Sequence, residues 1–140
     1  MEKTLRILLI EDDADDVELL QDSLENNNID YRMDVLSDGG AVSGYLKTMT
    51  EFPDIIVMDL NLPKVHGKEI LKEIKSSMLY NQIPVVVLTT SSSAEDKNQS
   101  LSLGASACLI KPTTTKGLSE IVAVIVDAAK GGSTQGQSNH

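Results

Sequence analysis

Residues 55–59 read Ile-Ile-Val-Met-Asp, four apolar residues closed by one carboxylate. The same arrangement recurs elsewhere in the chain. Leu8-Leu9-Ile10 runs into Glu11-Asp12, Val85–Leu88 into Thr89, and Ala107–Ile110 into Lys111. Runs that are apolar at every position, rather than alternating, belong to strands buried on both faces, as in parallel sheets. In an open parallel sheet the carboxyl ends of the strands line one edge, and ligands bind there. Four strands would therefore deliver three acids, a hydroxyl and an ammonium to one crevice.

Helical patterns separate these runs. Val17, Leu20 and Leu24 mark one apolar stripe over a helix from Asp12 to Asn27. Tyr31–Leu36 reads as a second strand, more polar and nearer an edge. Ser37-Asp-Gly-Gly opens a helix with Ala41, Val42, Tyr45, Leu46 and Met49 on one face. Pro53 breaks the chain before a third strand, Asp54–Met58. A loop over 61–67 precedes a helix carrying Ile70, Leu71 and Ile74, and Ile83–Leu88 makes a fourth strand. Ser92 and Glu95 have capping-box spacing, which predicts a helix start there and an end near Gly104. Ala107–Ile110 is the fifth strand. Leu118, Ile121, Val122, Ile125, Val126 and Ala129 define the last helix. Five strands alternating with five helices predict an α/β fold, a doubly wound five-stranded parallel sheet of flavodoxin-like order 2-1-3-4-5 with right-handed crossovers. The domain spans 4–130. The tail 131–140, built of Gly, Ser, Thr, Gln, Asn and His, has nothing to bury and is expected to be disordered.

Composition narrows the function classes. With 140 residues and 41% apolar content the chain can bury one real core. Its 21 acids against 12 bases give a net charge of −9. Nucleic-acid affinity comes mainly from phosphate neutralisation by Lys and Arg, so no nucleic-acid partner is expected. An acidic surface equally mismatches anionic lipid, and no apolar run approaches the roughly 20 residues of a membrane span. Acids follow the first apolar run at once, unlike a signal peptide. Cys108 is the only cysteine, which excludes an internal disulfide. A cytoplasmic protein is the expectation.

The crevice carries the chemistry. Hard divalent ions such as Mg²⁺ take carboxylate and carbonyl oxygens, and Glu11, Asp12 and Asp59 supply three carboxylates. Crowded together they repel one another, so the site is expected to be unfavourable without a cation. Asp13 replaces Asp12 if the strand boundary lies one residue later. Asp13 and Asp15 otherwise read as acids offsetting a helix dipole. Thr89 can donate to an anionic oxygen and Lys111 can offset its charge. Pro112 after Lys111 invites a cis bond that would aim the lysine inward. His66 lacks a partner at metal-ligand spacing and reads as a solvated loop residue.

These motifs, Glu11-Asp12, PDIIVMDLNLP with Asp59, VVVLTTS with Thr89 and LIKP with Lys111, resemble the receiver domain of two-component response regulators over about residues 4 to 130. The wording DLNLPKVHGKEIL and IPVVVLTTS looks most like stand-alone receivers paired with bacterial phytochrome-type kinases. The resemblance implies that Asp59 accepts a phosphoryl group from a histidine kinase and that Mg²⁺ is the cofactor. Asp12, Asp59 and the backbone carbonyl of Asn61 would ligate the ion, with Glu11 acting through water. Thr89 and Lys111 would contact the phosphoryl oxygens. Asn61 and Ser91, each two residues beyond a motif residue, would tune the acyl-phosphate lifetime. The chain would be a phosphoacceptor signalling protein rather than a turnover enzyme. Its partners would be a sensor histidine kinase or phosphotransfer protein and a downstream protein target. The face around the last two helices would carry these contacts, and a homodimer through that face is compatible with the sequence.

Three residues before the lysine such receivers usually carry an aromatic switch. Here Cys108 occupies that place, which directs attention to the loop after Thr89 and the lightly anchored helix following it. Two other classes compete. A Mg²⁺-dependent phosphohydrolase resembling the haloacid dehalogenase group would carry Asp-x-Asp near the first strand, and here Asn61 follows Asp59 at that spacing on the third. A phosphate-independent binding module, whether a flavodoxin-like carrier or a silent receiver, would lack part of the acidic set or place phosphate-binding groups after the first strand.

Overall fold

The computed structural model describes residues 4–131. Five strands form: β1 (Leu5–Ile10), β2 (Tyr31–Leu36), β3 (Ile55–Met58), β4 (Val85–Thr89) and β5 (Ala107–Ile110). They pair in parallel in the order β2-β1-β3-β4-β5. The helices are α1 (Ala14–Asn26), α2 (Val42–Thr48), α3 (Gly67–Ser76), α4 (Ala94–Ser102) and α5 (Thr115–Gly131), with a single 3₁₀ turn at Gly39–Ala41 leading into α2. This is the doubly wound, flavodoxin-like sheet the periodicities predict, with β2 and β5 at the edges.

Alternation along the inner strands divides the core in two. Leu8 and Ile10 of β1, Ile56 and Met58 of β3, and Val85 and Val87 of β4 face α2 and α3, where they meet Leu46, Ile70, Leu71 and Ile74. Ile7, Leu9, Ile55, Val57, Val86 and Leu88 face the other way, against Leu20 and Leu24 of α1 and Ile121, Val122 and Ile125 of α5. Each such side chain stabilises the fold by about 1.5–3 kcal/mol on burial. Burial on both faces is why these strands are continuous apolar runs.

Boundaries shift for identifiable reasons. β4 starts at Val85 rather than Ile83, because Pro84 has no N–H for the ladder; its carbonyl still accepts from the Ile56 N–H at 2.9 Å. α1 starts at Ala14, with Asp13 as N-cap accepting from the N–H groups of Asp15 and Asp16. The cap of α4 is Ser93, not Ser92, and its hydroxyl accepts from the Asp96 N–H at 3.2 Å. His66 is not merely solvated: it caps α3, its Nδ1 accepting from the Lys68 N–H at 3.1 Å. No peptide bond among the described residues is cis, so the expected cis bond at Lys111-Pro112 is corrected to trans. The lysine reaches the acids without it. Of the tail 131–140 only Gly131 is described, and it closes α5; the rest lies outside the described residues. No described helix is long and apolar enough to cross a membrane.

Candidate functional site

The carboxyl ends of β1, β3, β4 and β5 converge as the strand order requires. The Asp59 N–H donates to the Ile10 carbonyl at 3.1 Å, which sets the residue after β3 beside the residue after β1. The Glu11 N–H donates to the Leu36 carbonyl of β2 at 3.0 Å, and the Lys111 N–H to the Thr89 carbonyl of β4 at 2.8 Å. Backbone ladders thus run one residue past the strands and carry the site residues with them.

Glu11, Asp12 and Asp59 each place a carboxylate oxygen within 4.8 Å of the others. Glu11 and Asp59 are buried, at 4% and 6% exposure, whereas Asp12 opens to solvent. Asp13 is spent on the α1 cap, which resolves the choice between Asp12 and Asp13. Each buried carboxylate is fixed at both oxygens. Glu11 accepts from the Asp13 N–H at 3.2 Å through Oε2 and meets Lys111 Nζ at 2.9 Å through Oε1. Asp59 accepts from the Asn61 N–H at 3.2 Å through Oδ1 and from Lys111 Nζ at 2.8 Å through Oδ2.

Lys111 has a third acceptor, Asp16 Oδ2, at 2.6 Å. Desolvation depresses the Lys111 ammonium, but hydrogen bonds to Asp16, Asp59 and Glu11 outweigh it and hold its pKa above the ordinary lysine range. Desolvation raises the Glu11 carboxyl, with the Lys111 bond opposing. The crowded acids therefore already hold one positive charge, that of the Lys111 ammonium.

Gly67 shapes the loop behind Asp59. A Cβ there would lie 2.6 Å from the Asp59 carbonyl oxygen and 2.6 Å from Leu60 Cα. Only glycine lets the start of α3 approach so closely, and its N–H donates to the Leu60 carbonyl at 2.8 Å.

Thr89 is buried at 1% exposure and its Oγ1 accepts from the Ser91 N–H at 3.2 Å. The Ser91 hydroxyl turns the other way and donates to Asp96 Oδ2 at 2.6 Å. Asp96 also takes Lys68 Nζ at 2.6 Å, and the same ammonium donates to Gln99 Oε1 at 2.5 Å. The Lys68 and Ser91 bonds hold the Asp96 carboxyl below the usual range. Cys108 is half-buried beside α4, and burial pushes its thiol up. Ser100 is the sole buried residue of α4, and Leu101 is exposed, so that helix is lightly anchored.

Sequence reasoning missed Asp16, Lys68 and Asp96. Asp16 falls among the acids of the first turn of α1, where carboxylates are ordinary, so nothing in the sequence singled it out. Nothing in the sequence joins Lys68 to Asp96.

The three-carboxylate cluster can hold a divalent metal. Its donors are all hard oxygens with no thiolate or imidazole, a set that fits Mg²⁺ or Mn²⁺ rather than Zn²⁺.

Sheet order and acidic edge together define a flavodoxin-like protein of the receiver type. The chain belongs to the response regulator receiver domain family, whose model matches residues 7–123. The response regulator Rcp1 of Synechocystis sp. is 40% identical over 121 residues, spanning 83% of this chain and 82% of Rcp1. The crystal structure of the Mn²⁺-bound form of Rcp1 aligns with a TM-score of 0.76 at 36% identity, covering 88% of this chain and 92% of that one. That of the phosphorylated cyanobacterial phytochrome response regulator RcpA aligns at 0.80 and 34% identity, covering 91% and 95%.

Proposed function

We propose that this receiver accepts a phosphoryl group on Asp59 and signals through altered protein–protein contacts in the cytoplasm. One observation carries the reading: Asp59 is buried, bonded to Lys111, and within 4.8 Å of Glu11 and Asp12. The phosphorylated state of RcpA and the Mn²⁺-bound state of Rcp1 support it.

An Asp59 oxygen forms the bond to phosphorus while the phosphorus–nitrogen bond of a kinase or phosphotransfer-protein phosphohistidine breaks, and the imidazole leaves with the electron pair. Phosphoryl transfer has a loose transition state, so positioning and charge stabilisation supply most of the catalysis. The Asn61 N–H on Oδ1 holds the carboxylate in place, and Lys111 offsets charge at the transferred oxygens. Asp12, Asp59 and the Asn61 carbonyl would ligate Mg²⁺, Glu11 through water, and the bound ion would neutralise phosphoryl charge. Thr89 reaches a phosphoryl oxygen by releasing the Ser91 N–H, and this loosens the loop that Ser91 and Asp96 tie to α4. With Cys108 at the aromatic position, that polar chain carries the switch. Asn61 and Ser91 set the acyl-phosphate lifetime by flanking the water that hydrolyses it.

The exposure of Leu101 on α4 and Ile110 at the end of β5 supports an output face there, toward a downstream protein or a second copy. The domain acts as a phosphoacceptor, without steady-state turnover of other substrates. Relatives of phytochrome systems point to a phytochrome-type histidine kinase as donor. Mixing the chain with such a kinase carrying radiolabelled phosphohistidine tests this. Label should pass to the wild type and not to Asp59→Asn; label that stays on the kinase contradicts the kinase class.

A further inference from the structure

Asp16 stands outside the metal-ligand cluster yet makes the shortest contact with Lys111, at 2.6 Å. It projects from the first turn of α1, and Lys111 is the sole partner of its carboxylate among the described residues. The Lys111 side chain is 12% exposed, and its ammonium faces Glu11, Asp16 and Asp59 together. A divalent ion entering among Glu11, Asp12 and Asp59 meets this like charge at close range. Whatever draws the ammonium's charge away from Glu11 and Asp59 therefore favours the ion.

We infer that Asp16 is a positioning residue for Lys111, holding the ammonium so that the three-carboxylate cluster keeps its affinity for a divalent cation. The inference rests on the metal-binding reading of that cluster. Removing the Asp16 charge leaves Lys111 wholly to Glu11 and Asp59, where it competes with the ion. The residue thereby sets the Mg²⁺ concentration at which the site fills.

Calorimetric titration of Mg²⁺ into the full chain tests this with four proteins: wild type, Asp16→Asn, Asp16→Glu and Asp15→Asn. Asp16→Asn should weaken Mg²⁺ binding about fivefold, while Asp15→Asn, the same charge change at an exposed neighbour, should weaken it less than about twofold. Asp16→Glu should restore most of the affinity. In a Lys111→Met background the Asp16→Asn effect should shrink to that of Asp15→Asn. Equal effects of Asp15→Asn and Asp16→Asn, or an undiminished Asp16→Asn effect without Lys111, overturn the inference and leave the metal site standing. A wild type that takes up no Mg²⁺ overturns both.

Discussion

Ser91 donates its hydroxyl to Asp96 Oδ2 at 2.6 Å, and this bond joins the loop after Thr89 to the first turn of α4. Lys68 of α3 holds the same carboxylate from the other side. A polar chain thus runs from Thr89 through Ser91 and Asp96 to α3. α4 buries only Ser100, so these bonds are much of what fixes it.

Asp96→Asn should therefore loosen α4. Amide exchange over residues 91–102 should speed by about three- to tenfold at neutral pH, with the central strands unchanged. The pH dependence has a definite sign. Asp96 has a depressed pKa in the folded protein, so its contribution is present above the ordinary carboxylate pKa and is lost as pH falls through the folded value. The difference in melting temperature between wild type and Asp96→Asn should close below about pH 4.

Tyr45 reports on the opposite end of the sheet. Its hydroxyl donates to Asp34 Oδ2 at 2.5 Å, and desolvation together with that bond pushes its pKa up to about 12. The folded phenol keeps its proton where the unfolded one, with a pKa near ~10, has lost it. Stability should consequently fall as pH rises from about 10 to 12, and Tyr45→Phe should flatten that slope. At neutral pH the same variant should cost about 1 kcal/mol in urea denaturation.

Gly67→Ala should damage fold and site together, because the added Cβ meets backbone atoms at 2.6 Å that cannot move aside alone. A loss of about 1–3 kcal/mol by urea denaturation is expected, with slower phosphorylation of the displaced Asp59. Unchanged stability would mean that the loop has room to yield.

Lys111→Met leaves Glu11 and Asp59 buried without their counter-charge. The metal-free variant should lose about 2 kcal/mol of stability. Added Mg²⁺ should then raise its melting temperature more than it raises that of the wild type, since the ion replaces a lost charge. Chelation should leave the wild-type fold intact, because Lys111 already compensates the acids. Equal Mg²⁺-induced shifts in both proteins would contradict this electrostatic account.

The sheet was legible because burial on both faces forces β1, β3 and β4 into unbroken apolar runs. Each run ends in a polar residue where the backbone reaches the crevice, so Glu11, Asp12, Asp59 and Thr89 were legible with it. Lys111 follows the same apolar-to-polar pattern although its strand, β5, is a half-buried edge. Asp16 was not, since one acid among several in the first turn of α1 looks like an ordinary response to the helix dipole. The α4 cap was misplaced by one residue because Ser91, Ser92 and Ser93 are chemically equivalent in sequence. The distinction comes from tertiary contacts: Ser91 is committed to Asp96, and Ser93 is left to cap. His66 reads as solvated in sequence because it sits in a loop with no partner at metal-ligand spacing. Its capping of α3 depends on the local turn that brings its Nδ1 to the Lys68 N–H.

The most direct test of the central claim is intact-mass analysis after incubation with a small phosphodonor and Mg²⁺, comparing wild type with Asp59→Asn. The account predicts a single Mg²⁺-dependent phosphoryl adduct on the wild type and none on the variant. No adduct on the wild type, with beryllofluoride also failing to bind and so excluding a short-lived acyl phosphate, would contradict it.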